Sequence, residues 1–577
     1  MNLHKNYPVY KTTFIDDMRS LVEEAAVNFP DKTALSYKVH PSDTEVVRVS
    51  FPEWRDDVRN LGTALIAKGF REKNIALIGE NSYGWCCSFF AIMAIGSVVV
   101  PVDKDLAPED IAGIIEATGC VAAIVGKTAR AKCDALLTGG ACPSVKTLAL
   151  VEPDPDAAFP GREVCSLKQL EDEGGALFAA GNNAYYDYKI DPHRLASIVY
   201  TSGTTGKGKG VMLSQANIGL DMTLGMYNFD ITRKSLHVLP PHHTFGSTVN
   251  YVGHLSQGCE VYISSGLKHV SDEIREQQPT HLILVPAFLE VMHKKIWEGA
   301  RKSGKTGLLK TMMAVSNCLL KVGIDVRRKL FKSVLEPFGG KLEMVICGGA
   351  KLDEEIIRTF DAIGITILNG YGITECAPLI SANRNLYQKP GSVGLPIFAL
   401  RVRIDNPDAN GEGEICVKGP NVMLGYFNNP EATAEVFDKD GFFHTGDYGR
   451  LDDEGWIYIT GRKKNLIILS NGKNVYPEEL EADIQKIAGV AEVVVYAGES
   501  RLNKDKETIV AEIFPDADAL QAMGVQDAQA YFEEQIKKLN AKLPPYKLIK
   551  RVKLRDVEFQ KNTSRKIIRF TIDKSVD

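Results

Sequence analysis

The stretch Ile198-Val199-Tyr200-Thr201-Ser202-Gly203-Thr204-Thr205-Gly206-Lys207-Gly208-Lys209-Gly210-Val211-Met212-Leu213 decides how this chain is read. Between Thr201 and Gly210 stand four hydroxyl residues, four glycines and two lysines. Glycine lets successive backbone N–H groups turn towards one anion, hydroxyls add donors and lysine adds charge, so the expected ligand is a polyphosphate. Gly203, Gly208 and Lys209 stand at Walker spacing, but Gly210 takes the place of the hydroxyl that would ligate magnesium. Context excludes a Walker loop as well. Such a loop opens straight into a helix, whereas Val211-Met212-Leu213 reads as a second strand and Ser214 as the cap of a later helix. The loop joins two strands. A flexible solvent loop, the plain alternative, does not need this density of glycine, hydroxyl and lysine directly after an apolar strand.

Outward from the loop, short apolar runs alternate with helical stretches, the pattern of α/β layers. Leu342 to Ile346 reads as a strand and Gly348-Gly349-Ala350 as a turn. Asp353 then caps a helix that stops near Gly364, before a strand from Ile365 to Leu368. Asn81 to Val102 carries no charge over 22 residues, long enough to span a bilayer. Gly96, Ser97, Pro101 and the β-branched Val98-Val99-Val100 fit a buried helix turning into a core strand better. Near Gly461-Arg462-Lys463-Lys464 a domain boundary is expected: Trp456 to Ile459 reads as a closing strand. Leu466 to Leu469 with Asn471-Gly472 reads as the start of a hairpin, and Pro477 as a first helical turn. No internal repeat or low-complexity tract is present.

The chain has 577 residues, which calls for two or more domains. Its 44% hydrophobic and 24% charged residues exclude a disordered or fibrous chain. A net charge of −5 argues against a broad nucleic-acid surface. The 11 cysteines are scattered without a CxxC pair, which fits a reducing compartment and offers no zinc framework. The start of the chain lacks a secretory apolar core, so no export is expected. One local feature departs from this balance. Arg301 to Lys332 holds nine Lys or Arg against the single acid Asp325. It reads either as a solvated basic helix pair or as a contact for anionic lipid or an acidic partner.

The loop resembles the phosphate loop of the adenylate-forming enzymes, a superfamily that includes acyl-CoA synthetases, peptide-synthetase adenylation domains and beetle luciferases. That pattern usually has Pro where this chain has Gly208, a departure expected to loosen the loop. Further motifs follow in the family's order. Pro241-His242-His243-Thr244-Phe245-Gly246 is similar to its substrate-side motif, and Gly370-Tyr371-Gly372-Ile373-Thr374-Glu375 to its adenine and magnesium motif. Asp440-Gly441-Phe442-Phe443-His444-Thr445-Gly446-Asp447 is similar to the segment with the ribose-binding aspartate. Gly461-Arg462-Lys463-Lys464 resembles the hinge, and Lys561-Asn562-Thr563-Ser564-Arg565-Lys566 the C-terminal lysine motif, with Arg565 where Gly is usual.

The resemblance implies an α/β fold with a large multi-subdomain N-terminal AMP-binding domain, 1–463, and a small mobile α+β domain, 464–577, hinged at Lys464. It also implies roles. Thr201, Ser202, Gly203, Thr204, Thr205 and Lys209 would hold the phosphates. Gly348, Gly349, Ala350, Asn369, Gly370, Tyr371 and Gly372 would hold the adenine. Thr374 would donate to the α-phosphate and Glu375 would hold Mg2+. Asp447, supported by Arg462, would accept the ribose hydroxyls, while His243 and Phe245 would line the acyl pocket. Lys566 would carry adenylation by bridging substrate carboxylate and α-phosphate, where two anions must meet.

Each role has a plainer alternative: Thr374-Glu375 as a helix cap, Tyr371 as a core residue, and Asp447 as an aspartate in a turn. His242-His243 can likewise be surface residues, and Lys561, Arg565, Lys566 and Arg569 a solvated basic tail. The segment from Asp440 through Trp456 to Lys464, with the basic insertion and the tail, looks like the fatty acyl-CoA synthetase branch. The activity expected is therefore ATP-dependent joining of a fatty acid to CoA, in the cytoplasm, with peripheral membrane contact through 301–332 as a partner surface. Loading of an acyl carrier protein is the rival within the class, and a non-catalytic nucleotide-binding protein the rival outside it.

Overall fold

The computed structural model describes residues 9–138, 140–159, 161–201, 208–469, 474–498, 508–561 and 567–575. They form two compact units. The first comprises Met1–Arg401, Val417–Gly441 and Asp453–Trp456; the second comprises Val402–Cys416, Phe442–Asp452 and Ile457–Asp577. The second unit thus draws in Val402–Cys416, Phe442–Asp452 and the strand Ile457–Arg462, all of which precede the expected 463/464 boundary.

The first unit is built on two large sheets. In the eight-stranded sheet Val98–Val102 lies between Asn74–Ile78 and Leu195–Thr201, and Lys209–Ser214 and Gly425–Tyr426 follow at one edge. All five residues of Val98–Val102 are buried, and the preceding helix Tyr83–Ala94 is buried from Trp85 to Ala94. The uncharged stretch is therefore core. Among the described residues no helix is long and apolar enough to cross a membrane.

The nine-stranded sheet places His281–Leu284, Met344–Cys347 and Thr366–Gly372 side by side and parallel. Asp353 caps helix Glu354–Ala362 by accepting from the N–H of Glu355, so strand, glycine turn, capped helix and strand occur as the sequence predicts. Parallel strands deliver their carboxyl ends to one edge, where open α/β sheets bind ligands. Cys347 pairs with Asn369, which brings the Gly348-Gly349-Ala350 turn beside Gly370-Tyr371 at that edge.

The second unit holds a four-stranded sheet of Arg401–Asp405, Gly413–Lys418, Phe443–Leu451 and Ile457–Arg462. After it come the short hairpin Ile467–Ile468/Asn474–Val475 and a three-stranded sheet of Val490–Gly498, Thr508–Pro515 and Arg551–Leu554. Helices Pro477–Ile484 and Ala528–Asn540 close its core with Leu480, Ile484, Phe532 and Ile536. The Asn471-Gly472 turn expected between the hairpin strands lies outside the described residues.

Candidate active site

The two strands around the phosphate loop pair antiparallel, from Ile198 opposite Met212 to Thr201 opposite Lys209. Strand–loop–strand is thus confirmed. Ser202, Gly203, Thr204 and Thr205 lie outside the described residues. At the loop's exit the two strands lie close: a Cβ on Gly208 would stand 2.7 Å from the Thr201 carbonyl oxygen. The absent side chain permits a tight neck. Ser214 then caps helix Gln215–Gly225 in a capping box with Asn217.

Strand Gly425–Tyr426 pairs with the exit strand, Tyr426 opposite Val211. The Lys209 ammonium sits over the Tyr426 ring, 4.7 Å from its centroid. The Tyr426 hydroxyl donates to Glu375 Oε1 at 2.9 Å, and the Met423 N–H donates to the Glu375 carbonyl at 2.8 Å. Burial, together with the adjacent Glu375 carboxylate, pushes the Tyr426 phenol well up, so it stays protonated and donating. Glu375 and Lys209 therefore meet the same aromatic side chain.

Thr374–Cys376 is a single 3-10 turn, and Thr374 is buried. Its far side is pinned by a buried network. Asn421 Nδ2 donates to the carbonyls of Cys376 at 2.8 Å and Leu379 at 2.7 Å and to Asp221 Oδ1 at 2.9 Å. The Leu379 N–H donates to both Asp221 oxygens. Burial pushes the Asp221 carboxyl well above the usual carboxylate range. Asn217, the capping-box partner of Ser214, donates to the carbonyls of Pro420 and Val422. The helix that leaves the phosphate-loop strand thus fixes both the 420–423 segment and the Thr374-Glu375 turn. None of Asp221, Asn421 or Tyr426 was among the residues expected from sequence. The available signal for Asp221 was its position as the lone charge in an otherwise uncharged helix, Gln215–Gly225.

On the adenine side, Gly348 packs against the Phe245 ring and Gly370: a Cβ there would meet Phe245 Cζ at 3.4 Å and the Gly370 carbonyl oxygen at 3.5 Å. Gly349 has φ +88°, and it and Ala350 are exposed at the sheet edge. Tyr371 is only 7% exposed, and Asn369 is buried with its carbonyl accepting from Asn383. On Gly372 a Cβ would stand 2.3 Å from the Pro378 carbonyl oxygen, so this turn admits only glycine. Phe245 opens the π-helical stretch Phe245–Gly253 and His243 precedes it, the His243 carbonyl accepting from the N–H groups of Gly246 and Ser247. Such stretches are rare and mark functional positions. His242, beside it, faces Asp103 at 3.4 Å rather than solvent.

The second unit carries the remaining expected residues. Asp447 is buried and lies opposite Arg462, whose Nε stands 2.7 Å from Asp447 Oδ1. The expected Asp447–Arg462 pairing is therefore present. Lys464 is exposed in the short turn Lys463–Asn465 that follows Arg462. Lys566 lies outside the described residues. On either side of it, Lys561 and Ile567 form an antiparallel bridge. Lys561 pairs with Glu492 and Glu558, and Arg569 with Glu481. At these two positions the basic tail is anchored.

Among the described residues Glu375 belongs to no group of three or more His, Cys, Asp or Glu side chains placed to share an ion. That suits magnesium, which takes one or two protein carboxylates and completes its shell with water and substrate phosphate.

Residues 22–427 match the AMP-binding enzyme family. Long-chain-fatty-acid–CoA ligase 5 of Mus musculus is 28% identical over 518 residues, 84% of this chain and 74% of that protein. Long-chain-fatty-acid–CoA ligase 1 of Homo sapiens is 30% identical over 491 residues, 80% of this chain and 68% of that protein. Of solved structures, ATP-bound MatB from Rhodopseudomonas palustris superposes with a TM-score of 0.73 at 23% identity, covering 96% of this chain and 98% of that one. The anthranilate CoA ligase AuaEII in complex with anthranoyl-AMP gives 0.74 at 18%, covering 99% and 98%. The chain belongs to the AMP-binding enzyme family, with the adenylate-forming fold. It is an acid–thiol ligase.

Proposed function

We propose that the protein is an ATP-dependent fatty acyl-CoA synthetase of the long-chain type. The observation that carries this reading is the convergence of Glu375 and Lys209 on Tyr426 at the exit of the glycine–hydroxyl loop. A lysine at the loop's neck suits a site that must gather two anions, and a carboxylate with one oxygen fixed suits the holding of a divalent cation between them. In the first half-reaction an oxygen of the fatty acid carboxylate attacks the α-phosphorus of ATP, and pyrophosphate leaves. In the second, the CoA thiolate attacks the acyl carbon and AMP leaves.

The residue roles follow from that chemistry. Loop residues 201–205 with Lys209 hold the phosphates, Thr374 donates to the α-phosphate, and Glu375 holds Mg2+. When bound, the ion supplies positive charge to the phosphate oxygens. The Gly348–Ala350 turn and Asn369–Gly372 receive adenine, with Tyr371 against its face. Asp447 accepts the ribose hydroxyls while Arg462 orients its carboxylate. His243 and Phe245 bound the acyl pocket, and Lys566 stabilises charge between carboxylate and α-phosphate. Lys566 and the thiol need the same carbon at different times, so 464–577 turns about Lys464 relative to 1–463.

Long-chain acids are favoured as substrate because the relatives with 28–30% identity are named as long-chain ligases. ATP–pyrophosphate exchange across acetate to palmitate tests this. Each buried CH2 is worth about 0.8 kcal/mol, so apparent affinity should climb steeply with chain length. A flat profile, or a preference for benzoate or an amino acid, contradicts the fatty acid assignment.

A further inference from the structure

Strand Gly413–Lys418 lies next to Phe443–Leu451 in the four-stranded sheet, and its second residue, Glu414, is buried. A buried carboxylate is tolerated only where donors and opposite charge replace the water it has lost. Among the described residues Glu414 meets three such groups. Its Oε1 accepts from the Gly446 N–H at 3.1 Å, and its Oε2 from His444 Nδ1 at 3.0 Å and the Lys463 ammonium at 2.7 Å. Burial alone would raise this carboxyl, but Lys463 and His444 outweigh it and hold it below the usual carboxylate range. Glu414 is therefore ionised at neutral pH.

The positions of these groups in the chain are what matter. Gly446 immediately precedes Asp447, and Lys463 immediately follows Arg462. Asp447 and Arg462 stand opposite each other on adjacent strands and form the ion pair described above. One carboxylate thus holds both strands that carry the pair, each at the neighbouring residue. Thr445 adds a second tie, its hydroxyl donating to the Ile415 carbonyl at 2.8 Å and accepting from the Asp447 N–H at 3.1 Å. The Arg462 and Lys463 side chains are 45% and 56% exposed, whereas that of Glu414 is 7% exposed. Half-exposed ion pairs order their own side chains poorly. The fixed end of this arrangement is Glu414.

We infer that Glu414 is a positioning residue of the ribose site: by holding Gly446 and Lys463 it sets Asp447 and Arg462 in the pose that receives the two ribose hydroxyls. The inference rests on the ribose role proposed for Asp447. A carboxylate that accepts two hydroxyls must keep its plane and position, which requires support from behind. Lys463 also directly precedes Lys464. Without the bond to Glu414, a backbone change at Lys464 would pass straight into Arg462.

Equilibrium dialysis of the full chain against AMP and against 2′,3′-dideoxy-AMP tests it. The second ligand lacks both hydroxyls and reports the rest of the nucleotide site. The unaltered protein should favour AMP by about a hundredfold, the scale for two hydrogen bonds to one charged group. Glu414→Gln keeps the shape and removes the charge. It should cut that preference about tenfold while moving the affinity for 2′,3′-dideoxy-AMP by less than about twofold. Lys463→Met keeps the stem of a half-exposed side chain and should cut the preference about threefold. The double variant should do no more than Glu414→Gln, since both changes act through one carboxylate. Equal weakening of both ligands by Glu414→Gln overturns the inference, because a merely structural role does not distinguish them. An unchanged preference in either variant overturns it as well, and Lys463→Met decides by the same ratio if Glu414→Gln does not fold. An unaltered protein that binds both ligands alike refutes the ribose role of Asp447, and one that binds neither refutes the nucleotide site; the inference falls with either.

Discussion

The hydroxyl of Tyr426 donates to Glu375 Oε1 across 2.9 Å although 51 positions separate the two residues, and the same ring lies under the Lys209 ammonium. One tyrosine therefore ties the turn that carries the acid to the strand that leaves the phosphate loop. Its ability to do so depends on strand Gly425–Tyr426 joining the edge of the eight-stranded sheet.

Removing that hydroxyl leaves the ring and its packing. Tyr426→Phe should lower adenylation by about tenfold or more, since a hydrogen bond to a charged group is worth about 1.5–3 kcal/mol. The loss should be greatest at limiting magnesium. Pyrophosphate exchange measured against magnesium concentration checks this; a profile matching the parent protein would show that Tyr426 does not orient Glu375.

Asn421 supplies the donor for three buried acceptors: the carbonyls of Cys376 and Leu379 and the Asp221 carboxyl. Asn421→Ala strands them, and each unsatisfied buried group costs about 1–3 kcal/mol. Urea unfolding should reveal a stability loss of about 2–4 kcal/mol. A change below about 0.5 kcal/mol would mean that the Thr374-Glu375 turn is held by other contacts.

His254 and His281 meet Nε2 to Nε2 at 3.0 Å in the core, with Val249 O on the outer nitrogen of one and the Thr280 hydroxyl on that of the other. One shared proton completes this chain when both rings are neutral, and a second has no place. Burial lowers the pKa of His254 to about 4 and that of His281 well below the usual histidine value. Between about pH 6.5 and pH 4 the unfolded chain binds protons that the native chain refuses, so stability falls as pH falls. Each histidine contributes about 1.4 kcal/mol per pH unit in that window. Urea midpoints should drop between about pH 7 and about pH 5.5; a constant midpoint would contradict neutral buried histidines.

Lys464 sits in a three-residue turn between two strands, where a backbone change is most easily taken up. Lys464→Pro fixes φ near −65°. Acyl-AMP formation and thiol transfer should then separate, one failing while the other persists. If both half-reactions change equally on the same preparation, rotation about Lys464 is not part of the mechanism.

Local chemistry made part of this legible from sequence. The glycine–hydroxyl loop announced strand–loop–strand, Ser214 and Asp353 announced their helices, and Pro477 opened the helix it was expected to open. Gly96 marks the turn from buried helix to core strand, whereas Val98–Val102 runs through Pro101, paired with Leu77. What sequence did not disclose is long-range. Neither Tyr426 beside Glu375 nor Asn421 on Asp221, 200 positions apart, leaves any periodic trace, because those pairs are created by sheet order and helix packing. The same holds for segments Val402–Cys416 and Phe442–Asp452, which gather with the later part of the chain.

The most direct measurement is a single turnover with palmitate, ATP and magnesium in the absence of CoA, quenched and resolved for palmitoyl-AMP and pyrophosphate. Stoichiometric palmitoyl-AMP should form and convert to palmitoyl-CoA when CoA is added. With Lys566→Ala acyl-AMP formation should be slower by about two orders of magnitude. Absence of palmitoyl-AMP from the unaltered protein, or its formation at the normal rate by Lys566→Ala, would contradict the account.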